Sequence, residues 1–555
     1  MSSTDSLGTK KIWSPSRSFI HGAILISILA LAAALRINGL EWGLPYLYHP
    51  DESIFVKRAV PMVAELDLNP RWFGHPGTLT LYILVVPYIG YALLGLAAGW
   101  FSSLGDFAAA YAWDASAFHF IGRLSNLIVA LANLLLLWFV ARRVAPGWVA
   151  LLAVAGLALI PMNIQFSTLI RPDMLHTFTM LLVAYFALGA ARDDRIRDYI
   201  FGGIALGLAV SVKYTAAIAG VGILAAALLQ NPMTDFRTAL EHAATRLVTA
   251  GVATIATVFV VSPFLFIDFQ TALGDLAREA DFYSVNAMSD GVFSTLSFYV
   301  KTLSAEVTIL GLILAGIGVI AMLRSGDRAS WVLVLMALTY LLAHSFLPLR
   351  WARWVIPLLP FFAIFIAVGV YTISKAAEQI VKRPWPAVLA ALIAVIWLQP
   401  LLSAALAVER NWKVEHARSV AASWVADNLP KGSNILQERY TPQLLNGDYN
   451  LFYVEKARRG GNILPLKQNR KYIVPINEIG HLRDFGDIES SGIDYVILGK
   501  DYSRRKRLPK AGRIREAAAI KIYEEIFDRF ELLAKFKKSA ALNDSEIYVF
   551  RVTGE

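Results

Sequence analysis

Eleven apolar segments read as membrane spans and follow one another through the chain up to residue 407. They lie at 18–37, 118–140, 148–166, 173–190, 199–212, 215–230, 246–267, 303–323, 331–348, 354–374 and 386–407. Inside hydrocarbon each backbone N–H and C=O must be bonded within the protein, so such a succession leaves an α-helical bundle as the fold. The chain is 56% hydrophobic and 17% charged, against about 25% charged in soluble proteins. Its net charge of +10 carries no nucleic-acid signal, because Lys and Arg are scattered among apolar runs and form no stripe. With no Cys, disulfides, Cys-ligated zinc and thiol nucleophiles are excluded, and the redox compartment stays open. Lys10, Lys11 and Arg17 precede the first run. It reads as a retained signal-anchor, since many spans follow and no cleavage site stands out.

A twelfth segment, "TLTLYILVVPYIGYALLGLAAGW" from Thr78 to Trp100, is equally apolar. Whether it crosses decides the side of everything after it. If it does not cross, and the N-terminus is cytoplasmic, then Arg142, Arg143, Arg192, Arg195, Arg197, Arg237, Arg324, Arg328, Lys382 and Arg383 all fall on the cytoplasmic side, as the positive-inside rule requires. The segment is therefore expected to be a juxtamembrane or re-entrant element on the outer side, broken near Pro87. Trp42, Trp72, Trp113, Trp148, Trp351 and Trp385 lie near span ends, as an aromatic belt does.

The expected organisation is a cytoplasmic N-terminus (1–17), a membrane module (18–407) with an outer segment at 38–117, and a polar region (408–555). The last shows short apolar runs, "NILQE", "YIVPI", "DYVILG", "ELLAKF" and "IYVFRV", between helical patterns. It reads as a small extracytoplasmic α/β domain.

With the sides set in this way, charge collects on the outer face. "HPDE" (His49 to Glu52) follows the first span and "RPDMLH" (Arg171 to His176) opens the fourth. Lys213 sits at a tight hairpin, "PLRWARW" at a turn between spans, and Arg123 about one turn into the second span. Each has an ordinary reading. Asp and Glu in a first turn complement the helix dipole, Lys213 can snorkel, Arg350 and Arg353 can meet head groups, and His49 and His75 can be loop residues. Together they are harder to dismiss. Five basic residues, Arg123, Arg171, Lys213, Arg350 and Arg353, run against the positive-inside trend at the depth of two acidic clusters, and charge at that level usually marks a substrate site. A carboxylate can take a proton from an attacking hydroxyl, and Arg and Lys can hold a departing phosphate. Such a kit suits a substrate with a lipid tail and an interfacial phosphate. The alternative, a transporter or flippase for an anionic lipid, needs a charged path through the spans, which show almost no charge.

The order of these features resembles the GT-C membrane glycosyltransferases, and within them family 39. That family includes the protein O-mannosyltransferases and the aminoarabinose-lipid A transferases. The matching series is Asp51-Glu52, "GHPGTLTLYI", Arg123, Asp173 in "STLIRPDML", "GIALGLAVSVKYTA" and "RWVIPLLP" (Arg353 to Pro360), over about residues 18–375. The resemblance implies a polyprenyl-phosphate sugar donor, transfer on the extracytoplasmic face of the plasma membrane, and inversion at the anomeric carbon. It makes Asp51 the general base with Glu52 beside it, Asp173 a second acid, and Arg353 a donor-phosphate ligand, with Arg350, Lys213, Arg123 and Arg171 as further cations. Two departures stand out. "HPGTL" replaces the usual His-Pro-Pro or Lys, which leaves His75 or Lys213 as the basic partner. The 268–302 loop is short, which passes acceptor choice to 408–555. No cofactor is expected: His49, Asp51 and Glu52 are poorly spaced for a divalent ion. The acceptor, whether protein, lipid or glycan, is not identified by the sequence.

Overall fold

The computed structural model describes residues 17–74, 77–230, 236–285, 291–382, 384–456, 460–506, 516–541 and 544–553. Lys10, Lys11, His75 and Arg383 lie outside them. The chain enters on α1 (Arg17–Ala34), then forms α2 (Glu52–Ala64), α3 (Thr78–Ala97) and α4 (Leu104–Trp113). It continues through α5 (Ser116–Arg142), α6 (Gly147–Leu159), α7 (Pro161–Ser167), α8 (Asp173–Asp193), α9 (Ile196–Val212) and α10 (Gly220–Leu228). After α11 (Phe236–Val261) come one turn, α12 (Phe264–Ile267), and α13 (Phe269–Val285). The bundle closes with α14 (Val292–Arg324), α15 (Arg328–Ser345), α16 (Leu359–Ala377) and α17 (Trp385–Lys413). Among the described residues nine helices are long and apolar enough to span, α3 among them, or ten if α6 and α7 count as one. The expected spans at 199–212 and 215–230 are the shorter α9 and α10.

Helix α3 packs lengthwise on the bundle. At its start, the Gly77 N–H donates to Val212 O at the end of α9 (3.0 Å). Three turns later Tyr88 donates to Phe118 O (2.9 Å), and Tyr91 meets the Phe118 ring edge-on (5.4 Å). Thr80 and Leu84 lie by Gly122, Asn126 and Val129, so α3 runs antiparallel to the first half of α5, and Val86, Ile89, Leu93 and Leu94 stay exposed along its outer side. Where α8 ends and α9 begins, basic residues gather: Arg192 pairs with Asp327 (3.8 Å), Arg246 with Asp194 (3.0 Å), and Arg328 donates to Gln230 (2.8 Å).

Two charged side chains, Arg36 and Glu306, serve one break in the bundle. Pro161 has no N–H to give, and α6 and α7 meet there at 64°. The carbonyl of Ala158 accepts from Arg36 Nη2 (3.0 Å), and the amide of Met162 donates to Glu306 Oε2 (2.8 Å). A cation thus closes the carboxyl end of α6 and a carboxylate the amino end of α7. Nearby, Gly318 of α14 and Gly369 of α16 let the two backbones touch: a methyl at either would strike the carbonyl of Phe365 or Leu314.

Beyond Lys413 the chain builds a mixed sheet from β1 (Asn434–Gln437), β2 (Asn450–Val454), β3 (Ile463–Pro465), β4 (Tyr495–Leu498), β5 (Glu531–Phe536) and β6 (Ile547–Arg551), in the order β3-β2-β1-β4-β6-β5. β1 runs parallel to β2 and β4, and the other pairs are antiparallel. Alternation along the strands serves both faces. Ile435, Ile497 and Val549 pack under α18 (Ala417–Asn428), while Leu436, Val496 and Phe550 pack on the opposite side. There α19 (Gly486–Ser490), α20 (Lys500–Lys506) and α21 (Ala517–Arg529) complete the unit, α21 burying Ile522, Tyr523 and Ile526. The apolar run 472–476 is not a strand: Tyr472 makes a lone bridge to Leu445, and Pro475 interrupts further pairing.

Candidate active site

The face that carries the α/β unit also holds a cavity of about 470 Å³. Its walls come from four places: Tyr48 to Asp51, Glu279 and Phe282 of α13, Leu349, Trp351, Arg353 and Trp354 before α16, and Tyr440 with Lys500 from the α/β unit. The last two follow the carboxyl ends of β1 and β4, adjacent parallel strands at the point where the strand order reverses. Open sheets bind ligands at this position.

Asp51 is the N-cap residue of α2, yet its side chain makes no capping bond. It forms an ion pair with Arg171 and remains one-third exposed to the cavity. Arg171 is buried and reaches the other way through Nε to Asp173 Oδ2 (3.0 Å). One guanidinium therefore joins the two acids expected at the site. The Asp173 carboxylate also feels Lys213 and Arg353. Lys213 is buried behind the cavity wall, its ammonium 5.2 Å from the centre of the Trp354 ring. Arg353 lines the cavity, its guanidinium 4.8 Å from the Trp351 ring.

His49 lines the cavity as well. Burial, with Arg171, Arg353 and Arg123 nearby, pulls its imidazole down to about 4 against the opposing pull of Glu52, so the ring is neutral at physiological pH. Its buried Nδ1 has no hydrogen-bond partner among the described residues. Across the cavity burial pushes the Glu279 carboxyl up and the Lys500 ammonium down.

Several residues singled out in the sequence turn away from this space. Glu52 is 1% exposed, and both its oxygens are taken: Arg123 Nε donates to Oε1 (2.9 Å), Arg123 Nη2 to Oε2 (2.8 Å), and the Ile170 amide to Oε1 (3.1 Å). Arg123 spends Nη1 on the carbonyls of Leu40 and Trp42. Burial works to raise the Glu52 carboxyl, and Arg123 overrides it, holding it at about 2. Arg350 donates to Ser294 Oγ (2.9 Å) and lies over Phe298, both in α14. Of the five cations expected near a donor phosphate (Arg353, Arg350, Lys213, Arg123 and Arg171), Arg353 is thus the one in the cavity wall. The loop read at 268–302 is largely the helix α13, and its Glu279 reaches the cavity. Tyr440 and Lys500 carried no sequence signal. In hindsight their place after apolar strand runs was the available hint.

A second space of about 300 Å³ shares Tyr48, Pro50 and Tyr440 with the lining of the first. It lies between the α2 entry and the α/β unit and is lined by Arg418, Arg439, Gln443 and Asn477, among others. The site can therefore hold a bulky group between an exposed carboxylate and Arg353, with a side entrance under the α/β unit.

Residues 116–265 match the family model described as dolichyl-phosphate-mannose-protein mannosyltransferase. The solved structure of ArnT from Cupriavidus metallidurans bound to undecaprenyl phosphate is similar at a TM-score of 0.50 and 14% identity, over 96% of this chain and 97% of that one. The archaeal oligosaccharyltransferase AglB from Archaeoglobus fulgidus, in complex with an inhibitory peptide and a dolichol-phosphate, is similar at a TM-score of 0.54 and 11% identity, over 93% of this chain and 73% of that one. No curated protein matches the chain in sequence. The helical bundle with its small C-terminal sheet region has the fold of the GT-C membrane glycosyltransferases.

Proposed function

We propose that this chain transfers a sugar from a polyprenyl-phosphate donor to an acceptor hydroxyl on the extracytoplasmic side of the membrane. The observation that carries the reading is Asp51: a carboxylate unspent on capping, held by Arg171 and open to a cavity that Arg353 also lines. In this reaction the acceptor oxygen attacks the anomeric carbon and its proton passes to Asp51. The bond from that carbon to the phosphate oxygen breaks on the opposite face, which inverts the centre. The polyprenyl phosphate leaves with the electron pair and its charge is met by Arg353. Asp173 keeps Arg171 in place beside Asp51. Glu52 and Arg123 build the wall and take no proton. Tyr440 and Lys500 face the acceptor, which enters beneath the α/β unit. Arg36 and Glu306, two charges away from the cavity, are spent on the α6–α7 break. This speaks against a transport path.

Release of polyprenyl phosphate from polyprenyl-phosphate mannose, used as the probe donor, tests the base. Asp51→Asn is expected to lower turnover about 10²- to 10⁴-fold while donor binding persists. Full turnover would remove Asp51 from the role. Sidedness has its own test, helped by the absence of native Cys. Ser103→Cys should react with an impermeant thiol reagent added outside cells and Ala145→Cys should not; the reverse pattern would invert the topology.

A further inference from the structure

The loop that carries Asp51 is gripped from both sides, and one of the grips belongs to the α/β unit. Three residues before Asp51, the Tyr48 side chain is buried. Its hydroxyl bonds the Ser419 hydroxyl at the start of α18. Its ring stacks on His416, with centroids 4.1 Å apart and planes 28° apart, and the Arg418 guanidinium lies 4.1 Å from its centre. Arg418 Nη2 donates to the Tyr48 carbonyl (3.3 Å) and to His416 Nε2 (3.2 Å). His416 Nδ1 in turn lies 2.8 Å from Asp544 Oδ1 and 3.2 Å from the Arg418 amide nitrogen. At the next residue back, the Leu47 N–H donates to Gln443 Oε1 and the Leu47 carbonyl accepts from Gln443 Nε2, in the same unit.

We infer that Tyr48 and Ser419 form a positioning clamp through which the α/β unit sets the placement of Asp51 for the chemical step. Asp51 has few other restraints: its carboxylate is tied to Arg171 on the bundle side and makes no helix cap. With the clamp released, Tyr48 to Pro50 can shift as a short tether and carry the carboxylate out of line with an acceptor oxygen. The Tyr48–Ser419 bond, the stacking on His416 and the Arg418 contacts are made within the α/β unit and the Asp51 loop, so releasing the clamp is expected to act on the chemical step more than on donor affinity. Tyr48 and Ser419 are thus positioning residues and not catalytic ones. This inference rests on Asp51 being the base.

The test uses full-length protein in vesicles with polyprenyl-phosphate mannose as donor. Tyr48→Phe keeps the stacking and removes the hydroxyl, and Ser419→Ala removes its partner. Each is expected to lower kcat by between about 10-fold and 10²-fold, the cost of a misplacement near 1 Å. KM for the donor should hold, and amide exchange should quicken over 47–54. The double variant should lose no more than either single one, since both delete one bond. Tyr449→Phe, which deletes a hydroxyl bond to Val425 O inside the same unit, should leave kcat and exchange unchanged. Wild-type kcat in Tyr48→Phe and Ser419→Ala, alongside an inactive Asp51→Asn, would overturn the clamp alone. So would a loss that appears in donor KM. An active Asp51→Asn would remove the base and the clamp with it.

Discussion

Asp51 and Glu52 are neighbours in the chain and belong to different parts of the molecule. Asp51 stands at the rim of the cavity with one ion-pair partner and a third of its side chain exposed. Glu52 lies in the packed layer behind it, with both oxygens filled by Arg123 and the Ile170 amide. A carboxylate whose oxygens are all bonded cannot accept a proton without breaking what holds it. One that is half committed can. The difference shows that a carboxylate's capacity for chemistry depends on what its surroundings leave open, and that two acids side by side can be divided between reaction and framework.

The sharpest way to break this contrast is to neutralise each acid separately. Beside the catalytic loss expected of Asp51→Asn, Glu52→Gln should cost mainly stability. It leaves Arg123 buried without its counter-charge, a change worth about 3–5 kcal/mol. The measurement is thermal unfolding in detergent together with residual turnover. A Glu52→Gln protein that melts like wild type but has lost turnover would place Glu52 on the chemical side. A smaller effect is expected at Arg353, the cation on the same rim. Loss of a charge-assisted hydrogen bond in Arg353→Ala should weaken donor affinity about 10- to 150-fold. Arg353→Lys should fall between that and wild type, since an ammonium cannot match the fork of a guanidinium on phosphate oxygens. Binding of undecaprenyl phosphate decides it, and wild-type affinity in Arg353→Ala would take the residue out of the site.

The smallest effect concerns the acid limb of stability. His49 is held near 4 in the fold against an ordinary 6.5, so the unfolded chain takes up a proton that the folded one refuses. As pH falls from 6.5 toward 4 the unfolded state gains protons first and stability drops. His49→Gln should flatten that part of the melting-temperature profile and leave it unchanged above pH 7. An unaltered slope would mean that the ring meets solvent.

Much of the site could be read before any coordinates. His49, Asp51, Arg171, Asp173, Lys213 and Arg353 stand out because charge at a span end is costly, and an unusual number share one depth. The pairing of Glu52 with Arg123 was not legible: the two are far apart in the chain, and nothing local distinguishes a saturated acid from an open one. Arg350 shows the same limit. It stands three positions before Arg353, yet its side chain reaches Ser294 instead of the cavity. Tyr440, Lys500 and Glu279 were invisible for another reason. They come from a strand end, a strand end and a helix, with no motif among them, and only the docking of the α/β unit brings two of them to the cavity. For the fold, the apolar runs located the spans, but the sheet order was out of reach because register lies between segments. α3 lay between these cases: its composition is that of a span, and its position was inferred from the balance of basic residues in distant loops.

That helix has a consequence for how the protein is made. A translocon reading Thr78 to Ala97 meets a segment as apolar as those it inserts across the bilayer, and no charge within it says otherwise. The bond that ties its start to the cavity face, from the Gly77 amide to Val212, has no partner until the ribosome has passed α9. During that interval the nascent chain holds α3 without its tertiary restraint, and the side on which every later loop emerges hangs on it. Assembly of the candidate site thus begins before most of its residues exist, with one hydrophobic segment whose packing partners arrive only with α5 and α9.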